Sequence, residues 1–393
     1  MNSFDFYSPT YFIFGKDREC EVGAYIRKFG GSRVMLVSYG GNIMAELMGR
    51  VRSSLAKEGL EVTELSGVKP NPRSGLVYEG IELCRKNKVD FLLAVGGGSV
   101  IDTAKAVAMG TVYDGDFWDF FSGKAQLTKA LPIGTIQTLA GTGSEGSPDA
   151  IITNEKTMDK SAAGNDCIRP RFSVMNPALT QTLPPFQTAC GVTDIISHAL
   201  ERYFTNTPDV ELTDRLLEGV VLTMLHEGRR VMENPANYEA RANIMWAGMV
   251  VHNDIMGVGR QQDWNSHHLE HVMSSLYDCA HGAGIAVIMP AWMEYCVKHH
   301  DPMRMAGLAS RVFGCEMDYA DPARTAMDGV RAFRVFLKSI GMPLNFAGVG
   351  ADPKDIEKLV EMNHVGSGKT KGFVELDAAA IREIYELAAN CEM

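Results

Sequence analysis

DFLLAVGGGSVIDTAKAVAM, Asp90 to Met109, divides into three parts. Asp90–Val95 is an apolar run of the kind buried on both faces of a parallel sheet. Gly96, Gly97, Gly98 and Ser99 break it, and Val100–Met109 resumes at helical spacing. Strand, glycine turn and helix start in this order suit a phosphate. Glycine lets the backbone approach closely, and the helix N-terminus offers N–H groups and the positive end of a dipole. No Gly-Lys-Ser/Thr follows, so this is not a Walker loop, nor is it the strict GxGxxG fingerprint. A tight turn with no ligand is the competing reading.

Outward toward the N-terminus the pattern repeats. Tyr11–Phe14 reads as a short early strand, and Arg33–Ser38 as a buried one ended by Tyr39-Gly40-Gly41-Asn42. Ile43–Glu58 has helical spacing, Glu61–Leu65 reads as a strand, and a loop with Pro70 and Pro72 leads to a helix over Leu76–Asn87. Strands separated by helices of roughly 10–15 residues imply βαβ units and a doubly wound sheet. Toward the C-terminus, Leu131–Thr138 is strand-like and precedes a literal GxGxxG, Gly141 to Gly146. No helix pattern follows it, so it reads as a second polar loop beside a cofactor, or as a surface loop.

The pattern changes after Asn176–Leu183. Pro184 and Pro185 punctuate, with Thr182 as an N-cap. Helical periodicity then covers Phe186–Tyr203, Val210–Glu233, Glu239–Val251, Trp264–Leu276, Ile285–Val297, Pro322–Ile340 and Asp377–Ala389. Gly341 and Pro343 stop the Pro322 helix. The expectation is an α/β domain over residues 1–183 and an all-helical domain over 184–393.

Composition bounds the function. The net charge of −10 argues against nucleic acid or an anionic membrane surface as partner. Eight scattered cysteines without a CxxC pair read as reduced thiols. The start, MNSFDFYS, has no basic and apolar leader, and no apolar run approaches the ~18 residues of a membrane span. The expectation is a soluble cytoplasmic protein.

The chain has ten histidines, and four of them (His267, His268, His271, His281) lie close together. His267 and His271 are one helical turn apart, as are Asp194 and His198 in an otherwise apolar stretch. A carboxylate there is costly unless paired or bound to a cation. Taken alone, Asp194 and His198 also fit a solvated carboxylate and a core histidine. Together the clusters favour a metal, and oxygen with several imidazoles suits Fe²⁺ or Zn²⁺. His268 points away from His267, His252 reads as an isolated structural histidine, and His299-His300 as a polar helix end. His267-His268-Leu269-Glu270-His271 also spells H-x-x-E-H, a zinc-peptidase motif with Glu270 as general base. That reading leaves Asp194, His198, His281 and the glycine turn without roles.

Five stretches resemble one family. They are GGGSVIDTAKAVA (Gly96–Ala108), TLAGTGSEGS (Thr138–Ser147), NPALTQTLP (Asn176–Pro184), DIISHALERYF (Asp194–Phe204) and DWNSHHLEHVMSSLYDCAHGAGIAVIMPAW (Asp263–Trp292). In order and over nearly the whole chain, they are similar to the iron-containing (group III) alcohol dehydrogenases, most of all the branch of NAD(P)H-dependent butanol dehydrogenases and aldehyde reductases. The resemblance implies the dehydroquinate synthase-like architecture: a dinucleotide-binding α/β domain, a helical metal-binding domain, and the active site between them. It implies metal ligation by Asp194, His198, His267 and His281, and proton transfer by His271. Gly96, Gly97, Gly98 and Ser99 fall on the pyrophosphate loop, with Asp102 just beyond. Thr138 and Thr142 fall on a second cofactor loop, Lys160 on a ribose contact, and Asn71 in a proline-flanked loop. Gly40 and Gly41 mark the second-ribose turn, where no carboxylate would repel a 2′-phosphate, which favours NADP(H) over NAD(H). The implied reaction passes hydride between the nicotinamide and a small aliphatic aldehyde or alcohol, with Fe²⁺ or else Zn²⁺ as Lewis acid, in a homodimer. A zinc-using glycerol or polyol dehydrogenase of the same fold is the nearest alternative.

Overall fold

The computed structural model describes residues 1–42 and 44–391. The chain divides into two compact units, one over Tyr7–Leu183 and one from Pro184 onward together with Met1–Phe6. Grouping the first six residues with the helical unit departs from the sequence expectation. The reason is local: the Met1 amino group donates to the Pro208 carbonyl and the Asn2 N–H to that of Gly259.

The first unit is α/β. In chain order it holds β1 (Tyr11–Phe14), α1 (Val22–Lys28), β2 (Arg33–Ser38), α2 (Ala45–Lys57), β3 (Glu61–Ser66), α3 (Ser74–Lys86), β4 (Phe91–Gly96) and α4 (Gly98–Thr111). There follow α5 (Trp118–Phe121), β5 (Ile133–Gln137), β6 (Asp149–Thr153), β7 (Lys160–Gly164) and β8 (Phe172–Met175). Six strands form one parallel sheet in the order β1-β8-β5-β4-β2-β3, and β6-β7 is a separate antiparallel hairpin. Because strand side chains alternate, the sheet feeds two cores. Phe91, Leu93 and Val95 join Val34 and Leu36 on one face; Leu92 and Ala94 join Met35 and Val37 on the other. Burial on both faces explains the uninterrupted apolar reading of β2 and β4. The strand order reverses direction between β2 and β4, so the turns after these two strands flank the switch point of the sheet.

Differences from the sequence reading are concentrated in short elements. The hairpin β6-β7, the four-residue β8 and the helix α1 were not expected. The helix after β4 begins at Gly98, inside the glycine run. Ile43, read as the start of a helix, lies outside the described residues, and α2 begins at Ala45.

The second unit is helical: α6 (Pro185–Tyr203), α7 (Glu211–Glu233), α8 (Tyr238–His252), α9 (Asn265–Tyr277), α10 (His281–His299), α11 (Met303–Phe313), α12 (Pro322–Ser339), α13 (Ile356–Met362) and α14 (Ala378–Ala389). The helix α10 is buried along almost its whole length and packs against α6, α9, α12 and α14. Thr182 does not cap α6. Pro184 holds the N-cap position and Pro185 the first helical one, so Thr182 lies two residues too early to reach the N–H groups of the first turn, and proline, with no side-chain acceptor, stands where the cap would be. Asp321 does cap α12, accepting from the Arg324 N–H, and Gly341 follows its end with a φ of 80°. No helix among the described residues is long and apolar enough to cross a membrane.

Candidate metal centre and cofactor cradle

The face that α6 buries carries Asp194, His198 and Glu201 at successive helical turns. His267 lies in the first turns of α9, followed by Glu270 and His271. The chain reverses at Asp278, which takes a left-handed φ of 51°, and His281 is the first residue of α10. Glycine is required where α10 starts. A Cβ on Gly282 would lie 2.2 Å from the Cys190 carbonyl oxygen of α6, and one on Gly284 would lie 2.8 Å from Glu270 Oε1. The lack of side chains at both positions brings His281 against Asp194 and leaves room for the Glu270 carboxylate.

Three imidazoles converge on one oxygen. Asp194 Oδ1 lies 3.5 Å from His198 Nε2, 3.6 Å from His267 Nε2 and 3.5 Å from His281 Nε2. These spacings are long for hydrogen bonds, and among the described residues Asp194 Oδ1 has no hydrogen-bond partner although it is buried. Donors bound tetrahedrally at ~2.1 Å stand about 3.4 Å apart, so the spacing fits ligands around one ion. Asp194, His267 and His281 bring their donor atoms within 4.8 Å of one another; His198 joins that group through Asp194. Burial works against a charged Asp194, but the imidazoles of His198 and His281 hold its carboxyl well below the usual range. Burial pushes the His198 imidazole down from its usual range, toward the neutral form that binds metal, against the pull of Asp194. His267 is held up at about 10: burial opposes its charge, and the carboxylates of Glu201 and Asp194 outweigh that. A cation in the centre would replace the protons that these carboxylates otherwise draw in.

His271 borders the group, its ring 5.6 Å from that of His281 and 6.2 Å from that of His267. His268 is exposed, in keeping with its expected direction. His252 is not isolated. Its ring stacks on His198 at 4.2 Å, and Arg202 Nη2 lies 3.1 Å from its Nδ1. Glu270 is fully buried and forms an ion pair with His281 Nδ1, which occupies the carboxylate that a peptidase would direct at water. Glu201, also fully buried, forms an ion pair with His267 Nδ1. Sequence reading missed Glu201 and the role of His252. Spacing offered a signal for Glu201 alone, one turn beyond His198.

The expected cofactor residues all lie in the first unit. Gly97 sits at the N-cap of α4, and among the described residues no side chain caps this helix. A Cβ on Gly98 would lie 2.4 Å from Thr142 Oγ1, and one on Gly97 would lie 3.1 Å from the Tyr39 hydroxyl. The Thr138 N–H donates to the Gly96 carbonyl at 3.1 Å. Gly40 and Gly41 have φ of 76° and 72°, making the turn after β2. The structure thus gathers Gly96, Gly97, Gly98, Ser99, Thr138 and Thr142 at one place. Lys160 Nζ donates to Asn71 Oδ1 at 3.1 Å, pairing two residues 89 positions apart. Asp102, expected beside a cofactor, is instead turned inward. Its Oδ1 accepts from Ser144 Oγ at 2.6 Å and its Oδ2 from the Ile151 N–H at 3.1 Å. Lys105, which drew no attention in the sequence, lies fully buried in the same network.

The family model described as iron-containing alcohol dehydrogenase matches residues 9–177, and that of the C-terminal domain of the Fe-containing alcohol dehydrogenase family matches residues 188–389. The chain is 38% identical to NADH-dependent butanol dehydrogenase A of Clostridium acetobutylicum, covering 98% of this chain and 99% of that protein. It is 33% identical to the NADPH-dependent aldehyde reductase YqhD of Escherichia coli, covering 99% and 100%. The crystal structure of NADH-dependent butanol dehydrogenase A from Thermotoga maritima superposes with a TM-score of 0.95 at 38% identity, covering 99% of each chain. On both halves of its length, this chain belongs to the iron-containing alcohol dehydrogenase family.

Proposed function

We propose that this protein is a metal-dependent, NAD(P)H-dependent alcohol dehydrogenase or aldehyde reductase acting on small aliphatic aldehydes and alcohols. The observation that carries this is the convergence of three imidazole nitrogens on Asp194 Oδ1, in a chain with an uncapped, glycine-lined helix start. Asp194, His198, His267 and His281 would hold one divalent ion, Fe²⁺ in preference to Zn²⁺. When bound, such an ion supplies Lewis acidity toward the substrate oxygen, and a nicotinamide cofactor supplies or accepts the hydride.

The chain does the rest. Asp194 gives the site its anionic donor, and the buried rings of His198 and His267 shield that place from bulk water. His271, at the border of the group, would pass the proton to or from solvent. Gly96, Gly97 and Gly98 let the backbone approach a pyrophosphate at the start of α4, with Ser99, Thr138 and Thr142 around it. Lys160 and Asn71 would address the ribose. The turn at Gly40 and Gly41, without a carboxylate, favours NADP(H). Residues 7–183 would then be the dinucleotide-binding domain and the helical unit the catalytic one. A homodimer in the cytoplasm completes the proposal, supported by the likeness to the family and checked by the mass of the purified protein in solution.

Protein purified without oxygen should contain Fe²⁺ or Zn²⁺ and reduce butanal with NADPH or NADH at a kcat/KM well above its value for glycerol oxidation. A preference for glycerol would favour the polyol dehydrogenase reading. Absence of turnover with either cofactor, with both metals supplied, would sink the proposal. A second expectation concerns the cradle. Gly98→Val drives a side chain into Thr142 and should weaken NAD(P)H binding roughly ten- to a hundredfold, the effect of ~1–3 kcal/mol of overpacking. Metal content should be unchanged. Fluorescence titration of the bound nicotinamide together with metal analysis checks both, and unchanged affinity would contradict the assigned loop.

A further inference from the structure

Two fully buried carboxylates stand behind the converging imidazoles, one behind each of two histidines. Glu201, on α6, forms an ion pair through Oε2 with His267 Nδ1, while its Oε1 accepts from the His267 backbone N–H at 3.1 Å. It therefore holds both the ring and the backbone of that residue. Glu270, on α9, places Oε2 against His281 Nδ1. The room for it comes from Gly284, where any side chain would strike it. The third imidazole is built differently. His198 Nδ1 has no hydrogen-bond partner among the described residues, and its ring is held by stacking on His252 and His267.

Burying a carboxylate costs several kcal/mol unless it is well paired. Two of them placed behind one cluster call for a reason beyond packing. A carboxylate at Nδ1 fixes the tautomer that keeps its proton on Nδ1. That leaves the Nε2 lone pair directed at Asp194 and makes the ring a stronger donor. We infer that Glu201 and Glu270 are positioning residues that orient His267 and His281 and raise their affinity for the divalent ion, whereas His198 is a weaker, unassisted donor. This inference rests on the metal assignment proposed above. It also explains the H-x-x-E-H spelling: Glu270 falls in that pattern because it must reach from α9 to the first residue of α10.

The test uses the full-length protein, stripped of metal and titrated with Zn²⁺ alone and Co²⁺ alone. Glu201→Gln and Glu270→Gln keep shape and remove charge. Each should weaken metal binding by about 10- to 100-fold, and each should shift the visible absorption bands of bound Co²⁺. The far-ultraviolet circular dichroism of the metal-free protein should stay as in the wild type. Because the two residues lie on different helices and serve different histidines, either variant reports if the other does not fold. Wild-type affinity and wild-type Co²⁺ bands in a folded variant would overturn the inference while leaving the metal assignment standing. A wild-type protein that binds neither ion would overturn both.

Discussion

Asp194→Ala is expected to lower kcat/KM for aldehyde reduction by about three orders of magnitude and to abolish metal retention. The oxygen it removes lies within 3.6 Å of all three imidazole Nε2 atoms, and it is the anionic member of the tight donor group. Without it, the imidazoles of His198, His267 and His281 face one another with no central charge. Lewis-acid activation supplies several kcal/mol of transition-state stabilisation, and each ~1.4 kcal/mol is a factor of ten, which gives the expected size of the loss. Metal analysis and steady-state kinetics with excess Fe²⁺ or Zn²⁺ read the result. A thermal melt adds an independent check: metal should raise the Tm of the wild type and not that of the variant. The peptidase reading of H-x-x-E-H predicts that Glu270 matters and Asp194 does not. An Asp194→Ala protein that kept its metal and stayed within tenfold of wild-type activity would therefore refute the site as assigned.

Why part of this site was legible in the sequence and part was not follows from the range of the interactions. Asp194 with His198, and His267 with His271, stand one helical turn apart, so spacing alone puts each pair on one face. Convergence of the two helices is a long-range fact that no local pattern carries. His252 illustrates this: it ends α8, about fifty residues from its stacking partner His198, and sequence could only call it isolated. The sheet was legible for a related reason. Buried strands such as Arg33–Ser38 and Phe91–Gly96 must be apolar on both faces, which stands out in one dimension. The hairpin of β6 and β7 is neither doubly buried nor cleanly alternating, and the four residues of β8 are too few to show a period. The inward turn of Asp102 was hidden because its partners, Ser144 and Ile151, lie more than forty residues on.

That inward network leads to the second large effect. Lys105→Met is expected to destabilise the α/β unit by about 3–5 kcal/mol, the usual result of removing one partner from a buried ionic cluster. Lys105 Nζ donates to Ser144 Oγ at 3.0 Å, to the Ser147 carbonyl at 3.0 Å and to the Asp149 carbonyl at 2.7 Å. Beside it lie two buried carboxylates. Burial pushes Asp102 up to about 6 and Glu145 up to about 7, with the Lys105 charge pulling both back down. Burial likewise pushes Lys105 down to about 8, against the pull of Asp102. A carboxylate whose folded pKa is raised binds more protons folded than unfolded, so its contribution to stability falls as pH rises between those two values. Methionine keeps the stem packing and removes the pull, so both carboxylates climb further and that window widens. The deficit should accordingly be smaller at pH 5 than at pH 8. At neutral pH the Tm should drop by roughly 10 °C, at about 2–4 °C per kcal/mol for a unit of this size. Because the same network ties Ser144 and Ser147 to α4, cofactor affinity should fall with stability while metal binding in the helical unit persists. Melts at the two pH values, read with a nicotinamide titration, decide it. A variant as stable as the wild type at pH 8 would show that Lys105 does not compensate these carboxylates.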